Sequence, residues 1–322
     1  MNSTKSEIVN SVVLPVYNEE EILPEMIKRI EEVLEALGKT YEVILVNDGS
    51  NDSSWQIIAE NNRRNPSIKG VSFSRNFGHQ VAIIAGLRTA KGRMVAVMDA
   101  DGQDPPELLP KFFKKCEEGF DVVYAIRKKR KENIFKKMAY STFYRVMRRI
   151  APFEIPLDAG DFSVINRKIA DLLISFREHN PFIRGLRCWG GGKSAGIEYD
   201  RLARVKGKSK YSMVQLMKLA VIGMVSFSKV PLRFSVFIGF VVSIIAFVFG
   251  VINILRYLIL GTPFSGFATI VVVMSFLGGI QLIMLGMIGE YISFIFDEIK
   301  NRPLYLIDEV IGVDRQLLKI PG

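Results

Sequence analysis

Cysteine and histidine are nearly missing from this chain of 322 residues, with two of each. Cys116 and Cys188 form no C-x-x-C pair and suit a reducing compartment, which excludes a disulfide framework and a thiolate metal cluster. His79 and His179 have no partner at metal-ligand spacing and read as exposed or internally bonded side chains. A glycine-rich first turn is missing too. Where a dinucleotide-binding sheet needs one to cradle a pyrophosphate, the chain has Tyr17-Asn18-Glu19-Glu20-Glu21. Three acids repel a diphosphate, so the phosphates of any bound nucleotide must be neutralised elsewhere. No secretory signal is expected, because the apolar run 9–16 is short and contains Asn10 and Pro15.

Charge is the scarce commodity further along: between Phe234 and Gly289 only Arg256 carries it. That span divides around Gly261-Thr262-Pro263 into apolar runs at 234–255 and 267–288. Each is about 22 residues, and about 20 residues of helix cross a bilayer core. So long a stretch with so little charge argues against a pair of buried core helices. Two crossings joined by residues 257–266 return the tail to the side from which the chain entered. Lys229 and Arg233 before the first, with Lys300 and Arg302 after the second, place both termini and the first two-thirds of the chain in the cytosol. Arg256, at the far end, is a mild exception.

The part before these runs alternates strand and helix. Residues 11–16, 43–47, 69–74, 94–98 and 122–126 read as strands, and 24–37, 55–62, 80–90 and 106–118 as helices. Such alternation predicts an α/β domain, a mainly parallel sheet with helices on both faces. Ligands of these sheets bind beyond the carboxyl ends of the strands. The polar clusters PVYNEEE, VNDGSNDSS, SRNFGH and DADGQD fall at those ends.

The last cluster belongs to VMDADGQDPPE, four carboxylates in a chain of formal charge +10. Asp104-Pro105-Pro106-Glu107 has the spacing of a helix N-cap with a capping-box glutamate. Asp99 and Asp101, two apart on an extended segment, project to one side and would repel each other. A divalent cation resolves that conflict: Mg²⁺ or Mn²⁺ takes carboxylate, phosphate and water oxygens, with Gln103 as a further donor. It would also bridge the acids to a nucleotide diphosphate.

VVLPVYNEEE, VNDGSNDSS, SRNFGHQ and MDADGQDPPE, in this order and spacing, closely resemble family 2 glycosyltransferases of the GT-A fold. DAGDF at 158–162, RLARVKGKSKY at 201–211 and the paired C-terminal apolar runs resemble the polyprenyl-phosphate branch, particularly bactoprenol (undecaprenyl-phosphate) glucosyltransferases. Dolichol-phosphate mannose synthases are similar but vary in their membrane segments. The resemblance implies Pro15, Tyr17, Glu19 and Asp48 at the nucleotide, Asp99 shared between donor and metal, and Asp101 and Gln103 at the metal. It implies Asp161, with Asp158 as second choice, as general base, an inverting reaction, and a homo-oligomer such as a tetramer. The expected donor is UDP-glucose, with GDP-mannose as alternative, and the expected acceptor a polyprenyl phosphate in a bacterial plasma membrane. Base catalysis is physically redundant, because a phosphate monoester with a second pKa of about 6 is largely dianionic at neutral pH. Orienting the acceptor is the role expected of Asp161.

Residues 127–150 hold ten basic side chains and one acid, with Phe135, Ala139, Phe143, Val146 and Ile150 forming an apolar stripe. A helix at about 133–150 lying in an anionic membrane interface is expected. Nucleic-acid binding, the competing reading of a basic patch, does not suit a chain with two membrane spans. Residues 211–228 read as a second interfacial helix, because a third crossing would put the tail outside. Arg201, Arg204 and Lys210 would hold the acceptor phosphate or the leaving diphosphate. The expected division is a catalytic domain at 1–210, a juxtamembrane helix at 211–232, spans at 233–295 and a tail at 296–322. A processive polysaccharide synthase should carry a Q-x-x-R-W motif, and none occurs.

Overall fold

The structure, a computed structural model, describes residues 7–127, 159–176, 178–179, 181–200, 230–260, 266–300 and 302–314. Alternation along strand β1 (Asn10–Val16) sets the layering. Val12, Leu14 and Val16 point into a core shared with helix α1 (Leu23–Ala36) and helix α4 (Leu109–Glu117). Val13 points to the other face, where Gly86 of α3 (His79–Thr89) lets that helix approach; a β-carbon at Gly86 would collide with the Val13 side chain. A strand buried on both faces must be apolar at nearly every position, as β1 is.

Around β1 the sheet has the order β7-β5-β6-β4-β1-β2-β3-β8. Strands β2 (Tyr41–Asn47), β3 (Ile68–Phe73) and β4 (Met94–Val97) are connected to β1 and one another in parallel register. β5 (Val122–Arg127) and β7 (Ser194–Tyr199) also pair in parallel, whereas β6 (Ala159–Asn166) is inserted antiparallel between β4 and β5. α1 forms because Leu23, Met26, Ile27, Ile30 and Leu34 recur at steps of three and four and bury one face. Each such side chain contributes about 1.5–3 kcal/mol on burial. α2 (Ser54–Arg64) lies against β3, α5 (Arg167–Ser175) follows β6, and α6 (Ile183–Trp189) precedes β7. Asn166 caps α5, its side-chain oxygen accepting the Ile169 N–H at 3.0 Å.

The predicted capping box is not formed. The prolines open a 3₁₀ turn (Pro106–Leu108) with Pro105 at its cap, so Glu107 is out of register to bond back to residue 104. Asp104 is buried instead and accepts the Tyr199 hydroxyl at 2.6 Å, while Glu107 pairs with Arg29 through two nitrogens at 2.8 and 3.0 Å. Both acids thus tie the 104–108 turn to other elements.

The tail, to which the sequence reading assigned no element, supplies a strand. β8 (Ile307–Ile311) pairs antiparallel with β3 and covers what would be an open sheet edge. Glu309 accepts the Trp55 indole N–H at 3.0 Å, and Tyr305 stacks on Phe73 with ring centroids 4.9 Å apart.

Residues 216–301 form a second compact unit. It contains helices α7 (Val230–Leu260) and α8 (Phe267–Ile299), of 31 and 33 residues. At 1.5 Å per residue both exceed the roughly 30 Å of a bilayer core. Ser235–Ile259 and Ile270–Ile299 are long and apolar enough to cross, and their large apolar side chains are exposed within the chain. The expected interfacial helices at 133–150 and 211–228 lie outside the described residues.

Candidate functional site

The carboxyl ends of β1, β2 and β3 are latched to one another by loop side chains. Asn18, at φ 53°, accepts the Asn51 N–H at 2.9 Å and donates its own N–H to Ser50 Oγ at 3.0 Å. The Glu19 N–H donates to Ser54 Oγ at 3.1 Å. Asp48, nearly buried, accepts the Phe77 N–H at 2.7 Å and the Gly78 N–H at 3.0 and 3.2 Å on its two oxygens. Burial pushes its carboxyl pKa up, against those amide bonds and the charges of His79 and Arg75. Asp48 therefore fixes the loop after β3. Gly49 has φ +66°, and a β-carbon there would meet the backbone of Arg75 and Asn76. Val13 O accepts from Met98 N and Val16 O from Asp48 N, so Pro15, two residues on from Val13, faces the β4 side just past the end of that strand. Having no N–H to donate, Pro15 cannot extend the β1–β4 ladder, which stops at Val13 and Val97. Tyr17 and Glu19 follow on the half-buried rim.

β4 ends at Val97, and Asp99 follows it into the centre of a charged cluster. His79, Asp99 and Asp161 bring ligand atoms within 4.8 Å of one another. His79 Nε2 stands 3.4 Å from Asp99 Oδ1 and 3.4 Å from Asp161 Oδ2. Asp161 comes from β6; its neighbour Phe162 turns into the core against Phe112, with centroids 4.8 Å apart, and alternation sends Asp161 to the opposite face. There Arg184, in the first turn of α6, grips both oxygens, Nε to Oδ1 at 2.7 Å and Nη2 to Oδ2 at 2.8 Å. Gln80 joins the two helices, its Nε2 3.5 Å from Asp161 Oδ2 and its Oε1 accepting the Ile183 N–H at 3.0 Å.

The electrostatics follow from this packing. Burial alone would raise the Asp161 pKa, but the Arg184 charge and its hydrogen bonds, with those of His79, hold the carboxyl well below the usual range. Burial alone would lower the His79 pKa; the hydrogen bond to Asp161 and the Asp99 and Asp161 charges overcome it and push the imidazole up to about 9.

Of the residues expected at a metal, Asp99 is in this cluster and Asp101 and Gln103 follow it in a turn. Asp101 Oδ1 accepts the Gln103 N–H at 3.1 Å, and Gly102 between them has φ +71°. The extended geometry expected across Asp99 and Asp101 ends before them. His79, Asp99 and Asp161 together form a group that could hold a metal ion. Asp161 is committed to Arg184. Asp158, Arg201, Arg204 and Lys210 lie outside the described residues.

Sequence reasoning set His79 aside and passed over Arg184 and Gln80. Spacing along the chain hid them: His79 is twenty residues from Asp99 and over eighty from Asp161, and only the antiparallel insertion of β6 brings the three together. The SRNFGHQ loop, at the carboxyl end of a strand, was the signal that could have kept His79 in view.

A mostly parallel α/β sheet with two aspartates and a histidine gathered beyond its carboxyl edge is a GT-A-like architecture, of the class whose ligands bind at that edge. The chain belongs to glycosyl transferase family 2, whose model matches residues 11–173, and it is a glycosyltransferase. It is similar to the Bacillus subtilis protein named uncharacterized glycosyltransferase YkcC, 41% identical over 96% of this chain and 96% of the relative. The bactoprenol glucosyl transferase of Shigella phage SfII is 38% identical, covering 92% of this chain and 96% of its own. The prophage bactoprenol glucosyl transferase homolog of Escherichia coli K12 is 37% identical over 93% of this chain and 98% of its own.

Proposed function

We propose that this glycosyltransferase moves a hexose, glucose from UDP-glucose, onto the phosphate of a membrane polyprenyl phosphate such as undecaprenyl phosphate, with inversion at the anomeric carbon. The observation that carries the reading is similarity over nearly the full length, apolar helices included, to the phage bactoprenol glucosyl transferase. In this reading Pro15, Tyr17, Glu19 and Asp48 line the nucleotide site, and Asp99, Asp101 and Gln103 hold Mg²⁺ or Mn²⁺. The ion's chemistry is to offset the charge gained by the departing diphosphate. Arg201, Arg204 and Lys210 meet the acceptor phosphate or the leaving diphosphate, and an acceptor oxygen attacks the anomeric carbon from the side opposite the leaving group. Asp161, with Asp158 as second choice, serves to orient the acceptor, because the phosphate is already largely dianionic at neutral pH.

The acceptor's tail stays in lipid, which requires the site to stand at a bilayer surface. Pairing of β8 with β3 supports this arrangement: the strands before and after the apolar helices share one sheet, so the chain crosses the membrane an even number of times between them. With α7 and α8 as the crossings, the basic residues flanking them put the catalytic domain and both termini on the cytosolic side in this reading. Close approach of α8 helices at Gly278, Gly279, Gly286 and Gly289 would suit a homo-oligomer.

Purified protein is incubated with undecaprenyl phosphate and a panel of labelled nucleotide sugars, with and without EDTA. Lipid-soluble label is expected from UDP-glucose, lost in EDTA and in Asp101→Asn. Label from GDP-mannose alone would transfer the reading to a mannosyltransferase, and absence of lipid-soluble label from every donor would refute it.

A further inference from the structure

Two arginines one turn apart on α6 are used differently. Arg187 is buried, donating to Ser163 Oγ at 2.6 Å and to the Gly160 carbonyl at 3.4 Å, and serves the packing of α6 on β6. Arg184 keeps 28% of its side chain at the surface of the charged cluster. It meets Asp161 with one edge of the guanidinium, Nε and Nη2, and that fork is the geometry that fixes a planar cation in one orientation. The partner carboxylate is only 6% exposed and is approached by His79 and Gln80 as well.

An acid so placed is poorly suited to take a proton. Both its oxygens face cationic or amide donors, and a general base must direct an oxygen at the acid proton. The same arrangement is well suited to holding a cation still. Arg184, fixed by that fork, presents the exposed part of its guanidinium beside the group formed by His79, Asp99 and Asp161 at the sheet edge, and a planar cation so held complements a phosphate oxygen.

We propose that Arg184 binds a phosphate oxygen of the substrates, and that Asp161 is a positioning residue which acts through Arg184. The inference rests on the glycosyltransferase reading above for the presence of two phosphate-bearing substrates. The phosphate comes from the donor diphosphate or from the lipid acceptor, and the chemistry of recognition is the same for both.

The test measures binding of UDP with Mn²⁺, and separately of farnesyl phosphate, to the full chain in detergent. Wild type is compared with Arg184→Ala, Arg184→Lys, Asp161→Asn and the double variant Arg184→Ala/Asp161→Asn. The double variant removes both charges, so it leaves no uncompensated buried carboxylate and guards against misfolding. Arg184→Ala is expected to weaken one ligand roughly 10- to 100-fold, with Arg184→Lys recovering only part. Loss confined to UDP assigns Arg184 to the donor; loss confined to farnesyl phosphate assigns it to the acceptor. Unchanged affinity for both overturns the proposal. In the transfer assay the double variant should be no slower than Arg184→Ala, added guanidinium should rescue Arg184→Ala but not Asp161→Asn, and kcat of Asp161→Asn should not recover at high pH. Multiplying losses, or recovery of Asp161→Asn at high pH, would restore the base role and overturn the positioning role. Wild type that binds both ligands without transferring sugar would refute the proposed function, while the binding measurements still decide Arg184.

Discussion

Tyr305 offers a way to measure what the returning tail does for the catalytic domain. It is 2% exposed, its ring lies 17° from parallel with Phe73, and it stands two residues before the strand that closes the sheet edge. Replacing a buried aromatic side chain by alanine costs about 3–5 kcal/mol in lost burial and residual cavity. For a domain of this size each kcal/mol moves Tm by about 2–4 °C, so Tyr305→Ala should melt roughly 6–20 °C lower. Tyr305→Phe keeps the stacked ring and should shift Tm by less than about 4 °C. The perturbation has a path to the site. Phe73 meets Phe77 edge-on at 5.7 Å, Ser74 N donates to Leu306 O at 3.0 Å, and the Phe77 and Gly78 amides are held by Asp48. In Tyr305→Ala those two amides should therefore exchange hydrogen faster, while the buried face of α1 stays protected. Differential scanning fluorimetry in detergent and hydrogen exchange by mass spectrometry read the two effects. If the alanine and phenylalanine variants melt within 2 °C of each other, β8 is not packed on β3 as described and the reasoning fails.

Gly49→Ala should destabilise the domain by about 2–4 kcal/mol, because a side chain at φ +66° is strained and its β-carbon meets backbone that cannot rotate away. A melting temperature equal to wild type would contradict the turn geometry. Without added metal, His79 should make stability depend on pH. Its pKa rises on folding to about 9 from an ordinary value of 6.5, so its contribution is full below about pH 6.5 and disappears as pH climbs through 9. The stability gap between wild type and His79→Gln, measured by urea unfolding in EDTA, should shrink over that window, and a constant gap from pH 6 to 9.5 would rule it out. Asp161 acts in the opposite sense, its depressed pKa giving stability that is present above the usual carboxylate range and lost as pH falls through its lowered value.

The elements whose burial pattern is local were legible in the chain. Expected strand boundaries at 11–16, 43–47, 69–74, 94–98 and 122–126 fall within one residue of β1 to β5 at most ends, because a strand covered on both faces must be apolar almost throughout. β7 was not legible: Ser194–Tyr199 has glycine at its centre and alternates exposed with half-buried positions, the weak pattern of an edge. Asp104 and Glu107 matched a capping box by spacing, yet Tyr199 and Arg29, both remote in sequence, supplied better partners.

What the sequence determined alone was therefore the apolar patterning, the parallel α/β core, the two long apolar runs and the acids at the strand ends. Those follow from hydrophobic periodicity and charge, which any short window contains. The tertiary structure decided which acids are paired. Setting β6 antiparallel against β4 placed Asp161 beside His79 and Arg184, and bringing the tail back to β3 joined residues separated by both apolar helices. Hydrogen bonds and ion pairs of that kind depend on distances in space, which separation along the chain does not encode.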